Sequence, residues 1–152
     1  MRIPRALTAL ALATSVLGAG ALLSGCAAPT GPQVVLKVMH STAGDVVADA
    51  DGHAVYLYAK DTQNSGESVC DSACLASWPA VTTTSTSPGG AGLSGTVGEI
   101  PLSGGHYQVT FNGWPLYTFD GDVVADTIKG QGAGGVWWLL SPNGERVTEI
   151  GR

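Results

Sequence analysis

The chain has 152 residues, a formal net charge of −5 and only 12% charged residues, about half the fraction usual for a soluble domain. Arg2 and Arg5 fall in a segment expected to be removed, so the mature chain is more acidic still. A nucleic-acid binder needs a basic face to displace counterions, and docking on anionic lipid through protein charge needs the same; this composition argues against both.

The first signal along the chain is at its start. Met1 to Arg5 is short and basic, Ala6 to Leu22 is an uncharged Ala/Leu-rich run, and Leu23-Ser24-Gly25-Cys26 comes next. A basic region, an apolar run and a small-residue cleavage site describe a secretory signal. The run is near the lower limit for a membrane span, at ~17 residues, so a plain membrane anchor is the lesser alternative. Leu-Ser-Gly-Cys resembles the lipobox of bacterial lipoproteins. That resemblance implies diacylglycerol on the thiol of Cys26 and cleavage after Gly25. Two acyl chains hold a protein on a membrane where a single chain does not. The expected organisation is a signal over residues 1–25, a lipidated tether over 26–33 and a single β domain over 34–152.

Val34 to Met39 is apolar and β-branched and reads as a first strand. Three hairpin patterns come after it. Val46 to Ala48 faces Val55 to Tyr58 across Asp51-Gly52, Tyr107 to Phe111 faces Pro115 to Phe119 across Asn112-Gly113, and Val136 to Leu140 faces Arg146 to Ile150 across Asn143-Gly144. Asp-Gly and Asn-Gly reach the positive φ angles of type I′ turns at low cost. Three such turns between β-branched and aromatic runs predict an all-β fold, a small antiparallel sheet or barrel-like domain of hairpins. One short helical turn is expected around Cys70 and Cys74, within Val69 to Trp78, ended by Pro79. Val81 to Gly98 is rich in Thr, Ser and Gly and reads as a mobile connection.

An internal repeat emerges when Gly52 is aligned with Gly113. Tyr56 then meets Tyr117, Tyr58 meets Phe119 and Asp61 meets Asp122, giving G-x3-Y-x-[aromatic]-x-x-D in copies spanning about 44–79 and 107–140. Residues two apart on a strand share a face, so each aromatic pair points one way. Each aspartate falls just past a strand end, where a carboxylate caps backbone N–H groups of the next turn. Core aromatics and turn caps are the plainer account. A pair of acid-rimmed aromatic clefts is the functional one.

At these residues the chain resembles the bacterial secreted-repeat lipoproteins with a Y-x-[FWY]-x-x-D motif. The matching stretches are Gly44-Asp45-Val46-Val47, Val55-Tyr56-Leu57-Tyr58-Ala59-Lys60-Asp61, Cys70-x3-Cys74-x3-Trp78-Pro79, Phe111-Asn112-Gly113-Trp114-Pro115-Leu116-Tyr117, and Gly130-Gln131-Gly132 with Gly135-Val136-Trp137-Trp138. They cover roughly residues 44 to 145. The resemblance implies export and a lipid anchor. It brings no established activity and no catalytic residues.

If Cys26 is lipidated, Cys70 and Cys74 remain as a pair outside the cytoplasm, where oxidation is expected. On a helix, Cα atoms four residues apart lie ~6 Å from each other, within disulfide range. A structural staple is the first reading and a redox pair the second; the spacing is not C-x-x-C, and the neighbouring Glu67 and Asp71 discourage a thiolate. Met39, His40, His53 and His106 have the chemistry of copper ligands but no paired spacing, so no metal site is assigned. Without C-x-x-C-H there is no covalent c-type haem, and no cofactor is expected. The carboxylates Asp45, Asp49, Asp51, Asp120, Asp122 and Asp126 match no calcium-loop pattern. The Gly130 to Gly135 run lacks the Lys of a phosphate loop and reads as a flexible turn. Neighbours on a strand face opposite ways, so Trp137 and Trp138 cannot both enter one core, and the pair is a candidate binding surface.

The expectation is an exported protein on the cell membrane or envelope, anchored by lipid on Cys26 and facing out of the cytoplasm. Its role would be non-enzymatic, binding an envelope ligand or protein or serving as a structural accessory, with no nucleic-acid partner. The alternative is a redox or electron-transfer accessory using Cys70 and Cys74 or a Met/His metal site.

Overall fold

In the computed structural model, residues 32–149 are described. The expected signal segment, the expected lipidation site Cys26 and nearly all of the expected tether lie outside the described residues. Strand β1 (Gln33–Ser41) turns at Thr42-Ala43 into β2 (Gly44–Asp49), antiparallel, with Met39 opposite Val46 and His40 opposite Asp45. The Ser41 hydroxyl accepts from Ala43 N at 3.1 Å and donates to the Gly44 carbonyl at 2.9 Å, tying the turn together. Strand β3 (Tyr56–Tyr58) comes next, then helix α1 (Ser72–Ser77), β4 (Thr82–Thr83), β5 (Pro88–Ala91), β6 (Val97–Pro101), β7 (Tyr107–Phe111), β8 (Trp114–Tyr117) and β9 (Trp137–Leu139).

Two sheets result. One has the order β2-β1-β5, with β5 parallel to β1. The other runs β4-β7-β8-β3-β9, with β6 added on β7. The sheets are joined where Val47 N donates to Leu140 O at 2.9 Å and Val55 N donates to Val47 O at 3.1 Å. Alternation along the strands sorts side chains into two cores. Leu36, Val47, Leu57, Phe111 and Leu116 belong to a mainly aliphatic cluster, against which Trp138 packs. Val46, Tyr56, Trp78, Tyr117, Trp137 and Leu139 form an aromatic one.

The expected first strand, the all-β class, the short helix and the hairpin at Asn112-Gly113 are all present. Asn112 at φ 49° and Gly113 at φ 78° both take the positive values that a type I′ turn requires. Three sequence expectations need correction. The ladder partner of β2 is β1; the hairpin expected across Asp51-Gly52 is short, held by a bridge between Ala48 and Ala54 and hydrogen bonds from Asp49 N to His53 O and from Val55 N to Val47 O, and β3 itself pairs with β8 and β9. The arm expected to return on β9 reaches it through a bridge from Arg146 to Leu140 and hydrogen bonds from Ser141 N to Glu145 O and from Val147 N to Leu139 O without forming a strand, while the other edge of β9 pairs with β3; Ile150 is outside the described residues. Val81 to Gly98 is not a featureless connection, since it supplies β4, β5 and the start of β6. Its glycines serve close packing: a Cβ on Gly90 would come within 2.6 Å of Leu93.

Candidate functional site

The centre of the larger sheet is the junction of the two repeat copies. Tyr56 on β3 and Tyr117 on β8 are direct cross-strand partners. Each phenol reaches over to the aspartate of the other copy. Tyr56 OH donates to Asp122 Oδ2 at 2.6 Å, and Tyr117 OH donates to Asp61 Oδ2 at 2.7 Å. The second oxygen of each aspartate does the capping expected from sequence: Asp61 Oδ1 accepts from Val69 N and Asp122 Oδ1 accepts from Lys129 N, both at 2.8 Å. Both aspartates are buried, at 5% and 4% exposure. Burial, reinforced by the adjoining Asp122, pushes the Tyr56 phenol well above the ordinary tyrosine range. Burial does the same for Tyr117, the Ser68 hydroxyl pulling against it and Asp61 adding to it. Neither phenol is therefore a ready proton donor near neutrality.

The remaining motif aromatics stack beside these bonds. Tyr58, Trp137, Trp78 and Phe119 form a continuous column with centroid separations of 4.2, 3.9 and 4.5 Å. The two indoles at its middle are nearly parallel, at 4°. Tyr56 meets Trp78 edge-on at 5.4 Å, and Tyr117 meets Trp137 the same way at 5.2 Å. Gly130 completes the wall, because a Cβ there would lie 2.8 Å from Trp78 and 2.9 Å from Tyr56. Its glycine is a packing requirement, and its N–H donates to Tyr56 OH at 3.3 Å.

The first copy carries an additional feature. Asp71 caps α1, accepting from Cys74 N at 3.0 Å. Cys70 and Cys74 form a disulfide with Cα atoms 5.3 Å apart, and Trp78 N donates to Cys74 O to end the helix. None of the residues of α1 itself is buried. The helix is thus held by its cap and the disulfide rather than by an apolar face. Between α1 and β6 opens a cleft of about 320 Å³ whose walls include Cys70, Leu75, Ile100 and Leu102, with Ser68 and Gln108 as polar members. Ser68 links cleft and junction: it is hydrogen-bonded to Tyr117 OH and accepts from Cys70 N at 3.0 Å.

Other candidates are dispersed. Trp137 is buried in the aromatic core, whereas Trp138 packs on the opposite cluster under Arg146, 5.1 Å from its ring. Trp138 Nε1 is buried without a hydrogen-bond partner among the described residues. The two indoles thus lie on opposite faces of β9, each packed on a different cluster. Met39 is buried and His40 is exposed beside Asp45, so these strand neighbours face opposite ways. His53 lies 3.6 Å from Asp49, and Asp49 Oδ1 accepts three backbone N–H groups of its turn, those of Asp51, Gly52 and His53. Among the described residues no helix is long and apolar enough to cross a membrane. Sequence reasoning missed the crossing of the Tyr–Asp bonds and the cleft. The matched motif signalled the residues but not their partners.

Residues 37–82 and 102–141 match the sequence model of a family described as "Secreted repeat of unknown function". The two matches together exceed half of the chain, and the chain belongs to that family. No curated protein and no solved structure matches it. Membership in a family of secreted repeats gives an extracellular or envelope location.

Proposed function

We propose that this secreted-repeat protein is held on the cell membrane by lipid on Cys26, faces out of the cytoplasm, and has a non-enzymatic binding or accessory role at the envelope. The basic start, the apolar run and the Leu-Ser-Gly-Cys stretch support the anchor. One observation carries the role. The phenols and carboxyl groups of the motif are spent on one another and on backbone N–H groups, while a cleft with apolar walls stays open beside them. Such clefts with a few polar groups are the usual form of small-ligand sites.

Feeding the producing cell an alkyne fatty acid tests the anchor. The protein should take up label and sediment with membranes, and Cys26→Ala should lose both. Labelling that persists in Cys26→Ala overturns it. A redox role is supported by the part-exposed Cys74 beside the cleft. Its test is the reduction potential of the Cys70–Cys74 bond. A value below about −300 mV marks a structural bond and dismisses exchange, and a value in the range of exchange proteins replaces the binding role.

A further inference from the structure

We propose that the cleft between α1 and β6 is a binding site for one small neutral amphiphile, with an apolar body of about two to three rings and a head that donates a hydrogen bond. The proposal deepens the binding role above and rests on it.

Three observations lead to this ligand. The first is apolar surface left unused. Leu75 on α1 and Leu102 after β6 are 38% and 43% exposed, and both line the cleft, with the buried Ile100 also lining it. α1 buries none of its own residues and is pinned by the disulfide instead. Its apolar side chain therefore contributes to the cleft and not to the core. Exposed apolar surface gathered around one depression marks an interaction site where scattered single residues do not.

The second is polarity. Gln108 is 2% exposed and lines the cleft, with one Nε2 hydrogen donated to Leu116 O at 3.1 Å and the other directed at the Tyr117 phenol oxygen. Its amide oxygen is the group that remains to face a ligand, and it is an acceptor. Tyr117 gives its one hydroxyl hydrogen to Asp61, so Ser68 donates to Tyr117; with Cys70 N on one lone pair, its oxygen offers the cleft only the other lone pair, an acceptor. Two acceptors select a head with a donor, such as a hydroxyl, an amine N–H or an amide N–H.

The third is charge and size. Glu67 is the one charged residue among those lining the cleft, and it is exposed. No cation is there to compensate an anionic head, and burying an uncompensated charge is costly. A volume of 320 Å³ is about twice that of the cavity that holds benzene, at ~150 Å³. It sits at the small end of ligand pockets, which start near ~300 Å³.

N-phenyl-1-naphthylamine fits this description: two aryl groups, one N–H and no charge. It is to be titrated by fluorescence into the exported chain from Ala27 onward, whose described strands all lie in one compact unit, Gly31–Arg152. The expected result is saturable binding at one molecule per chain. Leu75→Glu and Leu102→Glu lie on different elements and are already partly exposed. Each should weaken binding about tenfold or more by placing a charge against the ligand. Val124→Glu, at a 62% exposed position outside the cleft, should leave it unchanged. The sulfonated analogue 8-anilinonaphthalene-1-sulfonate should bind at least about tenfold more weakly than the neutral probe. A mass two hydrogens light and an unchanged circular dichroism spectrum confirm that each variant is folded with the bond closed. Non-saturating uptake, equal binding by folded Leu75→Glu and Leu102→Glu, or equal binding of the sulfonate overturns the proposal. If Cys26 labels but the probe does not bind, the cleft assignment falls and the anchor stands. If the probe binds but Cys26 does not label, the anchor falls and the site stands.

Discussion

The two repeat copies present the same motif to the same sheet and finish it differently. In both, a tyrosine donates across to the partner copy's aspartate, and that aspartate caps the loop behind it. The second partner of the phenol differs. Tyr56 accepts from the rigid N–H of Gly130, whereas Tyr117 meets the rotatable hydroxyl of Ser68. The segments after the motif differ too: a disulfide-held helix in the first copy, and in the second a glycine turn, Ala133–Gly135. The shared bonds need only strand ends in register. The segment behind each aspartate is free to diverge, and only the first copy uses that freedom to make a wall of the cleft.

The comparison breaks most visibly at the features the copies share. Trp78→Ala and Trp137→Ala each remove one of the two central rings of the stacked column, one from each copy. Each should cost about 3–5 kcal/mol, read by chemical denaturation of the disulfide-intact protein. A loss under about 1 kcal/mol in either would show that the column is not shared structure. The Tyr–Asp bonds come next. Tyr56→Phe should cost about 1.5–3 kcal/mol, the range for a hydrogen bond to a charged group. Tyr117→Phe should cost less, because the Ser68 hydroxyl can turn toward Asp61 while the buried N–H of Gly130 has no such recourse. Equal losses would mean that the second partners are energetically alike.

A smaller effect separates the copies by their loops. Cys70→Ser combined with Cys74→Ser should cost about 2 kcal/mol, at the low end because the closed loop is short. Hydrogen exchange should quicken around residues 67–78 and stay unchanged around residues 123–135. Faster exchange in both loops would show that they are coupled through the junction. The last effect acts on both copies together and needs no variant. Both phenols are pushed up in the folded chain, so the unfolded chain, with tyrosine near ~10, releases these protons first. Stability is therefore fully present below about pH 10 and falls as pH rises above it. An alkaline absorbance titration should show two of the four tyrosines ionising only with unfolding. Free ionisation of all four in the folded protein would contradict the buried geometry.

Much of the fold was legible because the physics involved is local. Asn112-Gly113 reaches positive φ without strain, Asp71 offers the cap that starts α1, and Cys70 and Cys74 have the spacing of one helical turn. Alternation placed Trp137 and Trp138 on opposite faces. The aspartates were legible as caps for the same reason, since the N–H groups that they bind are 7 or 8 residues away along the chain.

The sequence by itself determined strands β1, β2, β3, β7, β8 and β9, the turn at residues 112–113, the short helix and the repeat, each set by chemistry within a few residues. Only the tertiary structure decided that β3 lies between β8 and β9, that the Thr- and Gly-rich segment enters both sheets, and that each tyrosine bonds the other copy's aspartate across 56 or 66 residues. It also decided that Leu75 and Leu102, unremarkable in the chain, face one cleft. The physical reason is the same in each case. Pairing between distant strands depends on how the whole sheet closes and on which buried groups then find partners, and no periodicity in a short window carries that information.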